Sequence, residues 1–150
     1  MITYKNGDLL KSGCGIICHQ VNIQGIMGGG LALQIAKDYP NCEKAYKEYC
    51  NNFKNKEQDL LGKVCIWKNY LYGFSIANCF SQKENFDTCY ESLEKCLQYV
   101  REYARFNNLS VGIPYKYGCA IANGEWDKVQ EIIKKVFEKT RVKCEIWKLE

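Results

Sequence analysis

The segment HQVNIQGIMGGGLALQI, His19 to Ile35, gathers the residue types best suited to chemistry in this chain. It holds the only histidine, an asparagine, three glutamines and four glycines, three of them consecutive. A glycine triplet packs no side chain and raises the entropy cost of folding, so it belongs where the backbone must come close to something. A strand that runs through glycines into a helix start aims several N–H groups at one point and adds the positive end of the helix dipole. Phosphate oxygens are the natural ligand for that arrangement. The spacing is neither a Walker A loop nor G-x-G-x-x-G followed by an acidic residue, which speaks against ATP and the usual dinucleotide fold. A second segment, GCAIANG at 118–124, is small and uncharged and lies between an apolar run and the helix led by Trp126 and Asp127. Two such backbone cradles on one sheet edge suit an extended diphosphate. Close helix–sheet packing is the alternative for both.

Other chemistry is thinner. His19 has an ordinary pKa near neutrality and could serve as a general base, yet at the end of a buried run it equally suits the core. The ten cysteines are scattered, with no C-x-x-C pair and a single histidine, so neither a zinc site nor a disulfide framework is expected. Several stand where an apolar residue belongs, such as Cys65 in KVCIW and Cys96 in SLEKCLQYV, and read as reduced structural thiols. No metal or cofactor is implied.

Alternating strands and helices must position the two loops. MITYKN reads as a first strand, and GIICHQV as a short strand buried on both faces. Leu31, Ile35, Ala36 and Tyr39 have helical spacing, Pro40 stops or restarts that helix, and NCEKAYKEYCNNF continues it. KVCIWKN and LYGFSIANCF read as strands meeting in a hairpin-like turn at Asn69–Tyr70. Residues 87–108 form a long amphipathic helix with Asp87 or Thr88 as N-cap. LSVGIPY is a buried strand, WDKVQEIIKKVFEKT a helix and VKCEIWKL a closing strand. The pattern predicts an α/β fold, a central mixed, mostly parallel sheet with helices on both sides, whose ligand site lies beyond the carboxyl ends of the strands.

The chain has 150 residues, 47% apolar, with a net charge of +4. That is the size of one domain and composition of a globular one. The lysines of IIKKVFEKTRVK read as a solvated helix face rather than a nucleic-acid patch. No apolar leader opens the chain, and the longest uncharged run is broken by polar residues and glycines, so no membrane association is expected; the reduced thiols suggest a cytoplasmic protein, and a monomer is expected.

GDLL near the start, HQVNIQGIMGGGLALQI, LLGKV at 60–64, IAN at 76–78, YESL at 90–93 and IPYKYGCAIANGEW resemble, in this order, a macrodomain. They are most similar to the branch holding terminal ADP-ribose glycohydrolases and ADP-ribose-1″-phosphate phosphatases. The resemblance implies a three-layer α/β/α macrodomain over residues 1–150 that binds ADP-ribose or an ADP-ribosylated protein or nucleobase. It implies that Asp8 accepts a hydrogen bond from the adenine amino group, with Leu9 donating its N–H. Asn22, with Gln20 nearby, falls by the distal ribose. Gly28, Gly29, Gly30 and Leu31 form the first anion cradle; Gly118, Cys119, Ala120, Ile121, Ala122 and neighbouring Asn123 form the second. Met27 fills the loop or walls the site.

The sequence departs from that branch at its catalytic pair. Glycohydrolases of this type use a lysine in the loop after IAN and an aspartate in the second loop. Here the lysine position is Ser81 or Gln82, with Lys83 one or two places on, and the aspartate position is Ala122. Candidate catalytic residues are therefore Lys83, by a shifted loop, or His19 and Asn22 acting on a bound water. The expected activity is hydrolysis of an ADP-ribose derivative such as the 1″-phosphate or an acetyl ester. Removal of ADP-ribose from protein or nucleobase, and non-catalytic reading of ADP-ribose, are the alternatives.

Overall fold

Short β-branched runs alternating with amphipathic stretches build a layered sheet, and the computed structural model, which describes residues 1–119 and 123–149, has that architecture. Strands β1 (Ile2–Asn6), β2 (Ile16–Asn22), β3 (Val64–Asn69), β4 (Phe74–Gln82), β5 (Val111–Pro114) and β6 (Cys144–Lys148) form one sheet in the order β1-β6-β5-β2-β4-β3. Every neighbouring pair is parallel except β3–β4, the hairpin. Helices α1 (Gly30–Asp38) and α2 (Pro40–Asn51) cover one face, and α3 (Tyr90–Asn107) and α4 (Trp126–Phe137) cover the other.

Alternation along β2 shows how the sequence makes both layers at once. Ile16 and Cys18 join the α3–α4 core, while Ile17 and Val21 join the clusters beneath α1 and α2. On α3, Leu93, Cys96, Leu97, Val100 and Ala104 are buried at helical spacing, and each large aliphatic so buried stabilises the fold by about 1.5–3 kcal/mol. Pro40 sits in the first turn of α2, where a missing N–H costs nothing, and so separates α1 from α2. All ten cysteines are free thiols, seven of them buried. Burial pushes the thiols of Cys42 and Cys144 up to about 12 and that of Cys65 up to about 11, which leaves them protonated and inert at neutral pH.

One local expectation is corrected. The N-cap of α3 is Cys89, without a side-chain capping bond, not Asp87 or Thr88. Those two residues are engaged elsewhere: Thr88 donates to the Gly118 carbonyl at 2.7 Å, and Asp87 accepts from Asn123 at 3.1 Å. Met27 fills the loop, the first of its two expected roles, and does not wall the site. It is buried among Val21, Ile23, Tyr46 and Leu60.

Candidate functional site

The carboxyl ends of β2, β4 and β5 open into a cavity of about 540 Å³. Its floor is the end of β2, from His19 to Asn22; the first glycine loop and the start of α1 form one wall, and Pro114 to Gly118 form another. Gln82 and Phe86, from the turn after β4, close the third side. Among the described residues no carboxylate lines this space, and Lys116 is its one cation.

Backbone forms much of two of these walls. Helix α1 starts at Gly30 with Gly29 as N-cap and no side-chain capping bond, so its first-turn N–H groups have no partner within the helix. Gly30 has φ +57°, a left-handed conformation that glycine adopts freely, and a Cβ there would meet open space. On the other wall Lys116 has φ +58° and Gly118 +74°. The Gly118 carbonyl accepts from the Gly124 N–H at 2.9 Å and from Thr88 Oγ1 at 2.7 Å, which pins both ends of the second loop. Gly124 can only be glycine, since a Cβ would stand 2.3 Å from that carbonyl oxygen. Ala120, Ile121 and Ala122, assigned to the second cradle from the sequence, lie outside the described residues.

Asn22 lines the cavity, yet its carboxamide mainly builds the loop. Its Oδ1 accepts from Gln24 N (3.1 Å), Ile26 N (3.3 Å) and Tyr46 Oη (2.8 Å), while Nδ2 donates to the Ile26 carbonyl at 2.7 Å. One N–H is left for a ligand, so Asn22 is a donor there and no base. Gln20 also lines the cavity, and its Nε2 donates to Ser81 Oγ at 2.9 Å and Thr88 Oγ1 at 3.0 Å.

His19 is 1% exposed and pairs in register with Asn78 of β4. Asn78 Nδ2 donates to the Cys65 carbonyl at 3.0 Å, which leaves Oδ1 to accept from His19 Nε2 at 2.6 Å. The imidazole is thereby held in its Nε2–H tautomer, with Nδ1 buried and unpaired. Burial lowers its pKa, opposed by the bond to Asn78, and keeps it neutral.

Several sequence candidates stand away from the cavity. Asp8 is exposed, caps a 3-10 turn over Leu9–Lys11 and accepts from Leu10 N at 2.9 Å. Leu9 is buried, against the position where a Gly112 side chain would be. Cys119 is half-buried against the α3–α4 core, and Asn123 is exposed and bonded to Asp87. Lys83 is exposed and does not line the cavity, and Ser81 is fully buried under Gln20. Of Ser81, Gln82 and Lys83, Gln82 is the one that lines the cavity.

Sequence reasoning missed Gln82, Phe86 and Tyr115 as walls. A signal for Tyr115 existed in YKYG, an aromatic–cation run at the end of a buried strand. Tyr115 packs on Trp126 with centroids 5.1 Å apart, and the ammonium groups of Lys148 and Lys116 lie 5.1 and 5.9 Å from its ring. Among the described residues no group of three His, Cys, Asp or Glu is placed to hold a metal, and no helix is long and apolar enough to cross a membrane.

Comparison with known proteins gives this architecture its family. The model of the Macro domain matches residues 18–133. The chain is a macrodomain. The macrodomain of Mycobacterium tuberculosis DarG superposes with a TM-score of 0.85 at 26% identity, covering 98% of this chain and 97% of that one. In sequence, the chain is similar to the ADP-ribose 1″-phosphate phosphatase of Saccharomyces cerevisiae, 41% identical over 71 residues, which are 46% of this chain and 38% of the yeast protein. It matches less than half of that relative's length. The human ADP-ribose glycohydrolase OARD1 is 24% identical over 152 residues, 99% of this chain and 91% of the human one. The glycine loop, Asn22 and β4 all lie within the part matched by the family model.

Proposed function

We propose that this macrodomain, residues 1–150, binds the ADP-ribose moiety in the cavity above β2 and hydrolyses an ester on its distal ribose, the 1″-phosphate or an acetyl ester. The observation that carries the reading is the pair of backbone turns, Gly28–Gly30 at an uncapped helix start and Lys116–Gly118, facing one cavity with no carboxylate among its described lining residues. The first-turn N–H groups of α1, with the Lys116 ammonium on the opposite wall, suit a diphosphate. Similarity to proteins named as a phosphatase and a glycohydrolase of ADP-ribose derivatives supports the substrate class.

In this reading the diphosphate spans the cavity between its two backbone walls, the distal ribose reaches the β4 end beside Gln82, and adenine extends out of the cavity toward Asp8 and Leu9 at the β1 end. Water is the nucleophile. Its oxygen bonds to phosphorus or to the acyl carbon, the bond to the ribose oxygen breaks, and that oxygen takes a proton. The cavity contributes mainly position and N–H donors to developing negative charge. Lys83, exposed and outside the lining residues, is poorly placed to form a covalent adduct. The free thiols fit a reducing cytosol, where we place the protein as a monomer.

The test is a product assay on ADP-ribose 1″-phosphate, O-acetyl-ADP-ribose and nucleobase-linked ADP-ribose, with wild type and Lys83→Ala. The reading expects ester turnover that survives Lys83→Ala. Release from a nucleobase that depends on Lys83 would replace it with a glycohydrolase, and tight ADP-ribose binding with no product would make the domain a reader.

A further inference from the structure

The turn between β4 and α3 carries a feature that the proposed function does not use. Phe86 has φ +68°, a conformation that costs a bulky side chain free energy and persists only where its surroundings impose it. The surroundings do impose it. Phe86 N donates to the Lys83 carbonyl at 2.8 Å, Lys83 N to the Asp87 carbonyl at 2.9 Å, and Gln82 Nε2 to the Phe86 carbonyl at 3.1 Å. The turn is also clipped to both ligand loops. Gln24 Nε2 of the first loop donates to the Glu84 carbonyl at 2.7 Å, and Asn123 Nδ2, after the second loop, donates to Asp87 Oδ1 at 3.1 Å. A strained aromatic is thus held against the cavity, which it lines, while remaining 40% exposed.

Charge is distributed unevenly along the same cavity. Its one cation among the described residues, Lys116, is on the β5 side, where Lys148 also lies by Tyr115. On the β4 side the described lining side chains are Gln82, one of whose N–H groups goes to the Phe86 carbonyl, and the Phe86 ring. The face of an aromatic ring is electron-rich and does not hydrate an anion. A phosphate pressed against it loses water without gaining a counter-charge. An uncharged sugar, acyl group or base loses little and gains contact area.

We propose that Phe86 is a specificity-determining residue, whose ring covers the β4 end of the cavity and selects an uncharged group on the distal ribose over a phosphate. The inference rests on the ADP-ribose reading and its orientation, and narrows it to one of the two ester classes.

Competition against a fluorescent ADP-ribose probe tests it, comparing ADP-ribose with its 1″-phosphate on wild type, Phe86→Ala and Phe86→Gly, with phosphate release followed in the same samples. Wild type should bind ADP-ribose about tenfold more tightly than the 1″-phosphate, and release phosphate slowly. Both variants should bring that ratio near unity, chiefly by weakening ADP-ribose. Phe86→Gly should melt no lower than Phe86→Ala, because glycine adopts the positive φ freely, so a loss of selectivity shared by both variants is not a folding defect. Equal or tighter binding of the 1″-phosphate, its rapid hydrolysis by wild type, or a ratio unmoved in Phe86→Gly overturns the role of Phe86 and leaves the ADP-ribose reading standing. Failure of wild type to bind either ligand removes that reading and this inference with it.

Discussion

Replacing Asn22 separates its loop-building role from a catalytic one. Asn22→Ala deletes four hydrogen bonds, three to Oδ1 and one from Nδ2. Tyr46, fully buried, keeps the Asn22 main-chain carbonyl as acceptor at 2.7 Å, and the freed groups of Gln24 and Ile26 can turn partly to water. At about 1 kcal/mol net per bond, less that recovery, the loss is about 2–3 kcal/mol. For a domain of this length that lowers Tm by roughly 5–10 °C. ADP-ribose affinity should fall with it, because the loop that Asn22 holds leads into Gly28–Gly30. Asn22→Asp retains the acceptors but places a carboxylate on the wall of an anion site. It also turns a carboxylate oxygen toward the Ile26 carbonyl, to which Nδ2 donates at 2.7 Å, so it should melt below wild type and bind ADP-ribose less well than wild type. Thermal melts and calorimetric titration on the three proteins decide it. If Asn22→Ala keeps the wild-type Tm and affinity but loses turnover, Asn22 acts on the reaction directly and the loop argument fails.

Two further outcomes follow from the same geometry. Gly124→Ala drives a Cβ to within 2.3 Å of the Gly118 carbonyl oxygen and must part the loop ends; it should cost about 1–3 kcal/mol through the Gly124 and Thr88 bonds and weaken ADP-ribose binding, and unchanged binding would show that this loop does not serve the cavity. His19 is held neutral in the folded state, so the unfolded chain binds the extra proton. The histidine's contribution is therefore intact above an ordinary value of about 6.5 and is lost as pH falls below it, with a slope of up to about 1.4 kcal/mol per pH unit. Denaturation midpoints of wild type against His19→Gln between pH 7.5 and 5.5 read this as a difference in slope, and parallel curves would contradict it.

Much of this fold is legible in the sequence because period and punctuation agree. GIICHQV and LSVGIPY are short apolar runs bounded by glycine or polar residues, Pro40 splits a helical pattern, and the glycine triplet marks a helix start facing a cavity. The strand order is less legible, since nothing local says that VKCEIWKL inserts between the first strand and LSVGIP. The site divides similarly. Backbone cradles announce themselves through glycine, whereas the functions of polar side chains depend on partners distant in sequence. Asn22 and Gln20 look like ligand contacts until Tyr46, Ser81 and Thr88 take most of their capacity. The register shift between Val21 and Asn22, which pairs Asn22 with Gln82, cannot be read from either strand alone. It is Gln82 that lines the cavity, while Ser81 is buried and Lys83 exposed. Phe86 escapes for another reason: a phenylalanine in a polar turn carries no mark that its backbone is left-handed.

If the cavity above β2 holds ADP-ribose on its backbone walls, blocking the first cradle should abolish binding. Calorimetric titration of wild type and Gly30→Val with ADP-ribose tests it most directly. Gly30 has φ +57° and open space where a side chain would go, so valine strains the helix start and fills the anion cradle while leaving the core intact. Saturable 1:1 binding to wild type is expected, abolished in a variant that still unfolds cooperatively. Binding of equal strength in the variant, or none in wild type, would contradict it.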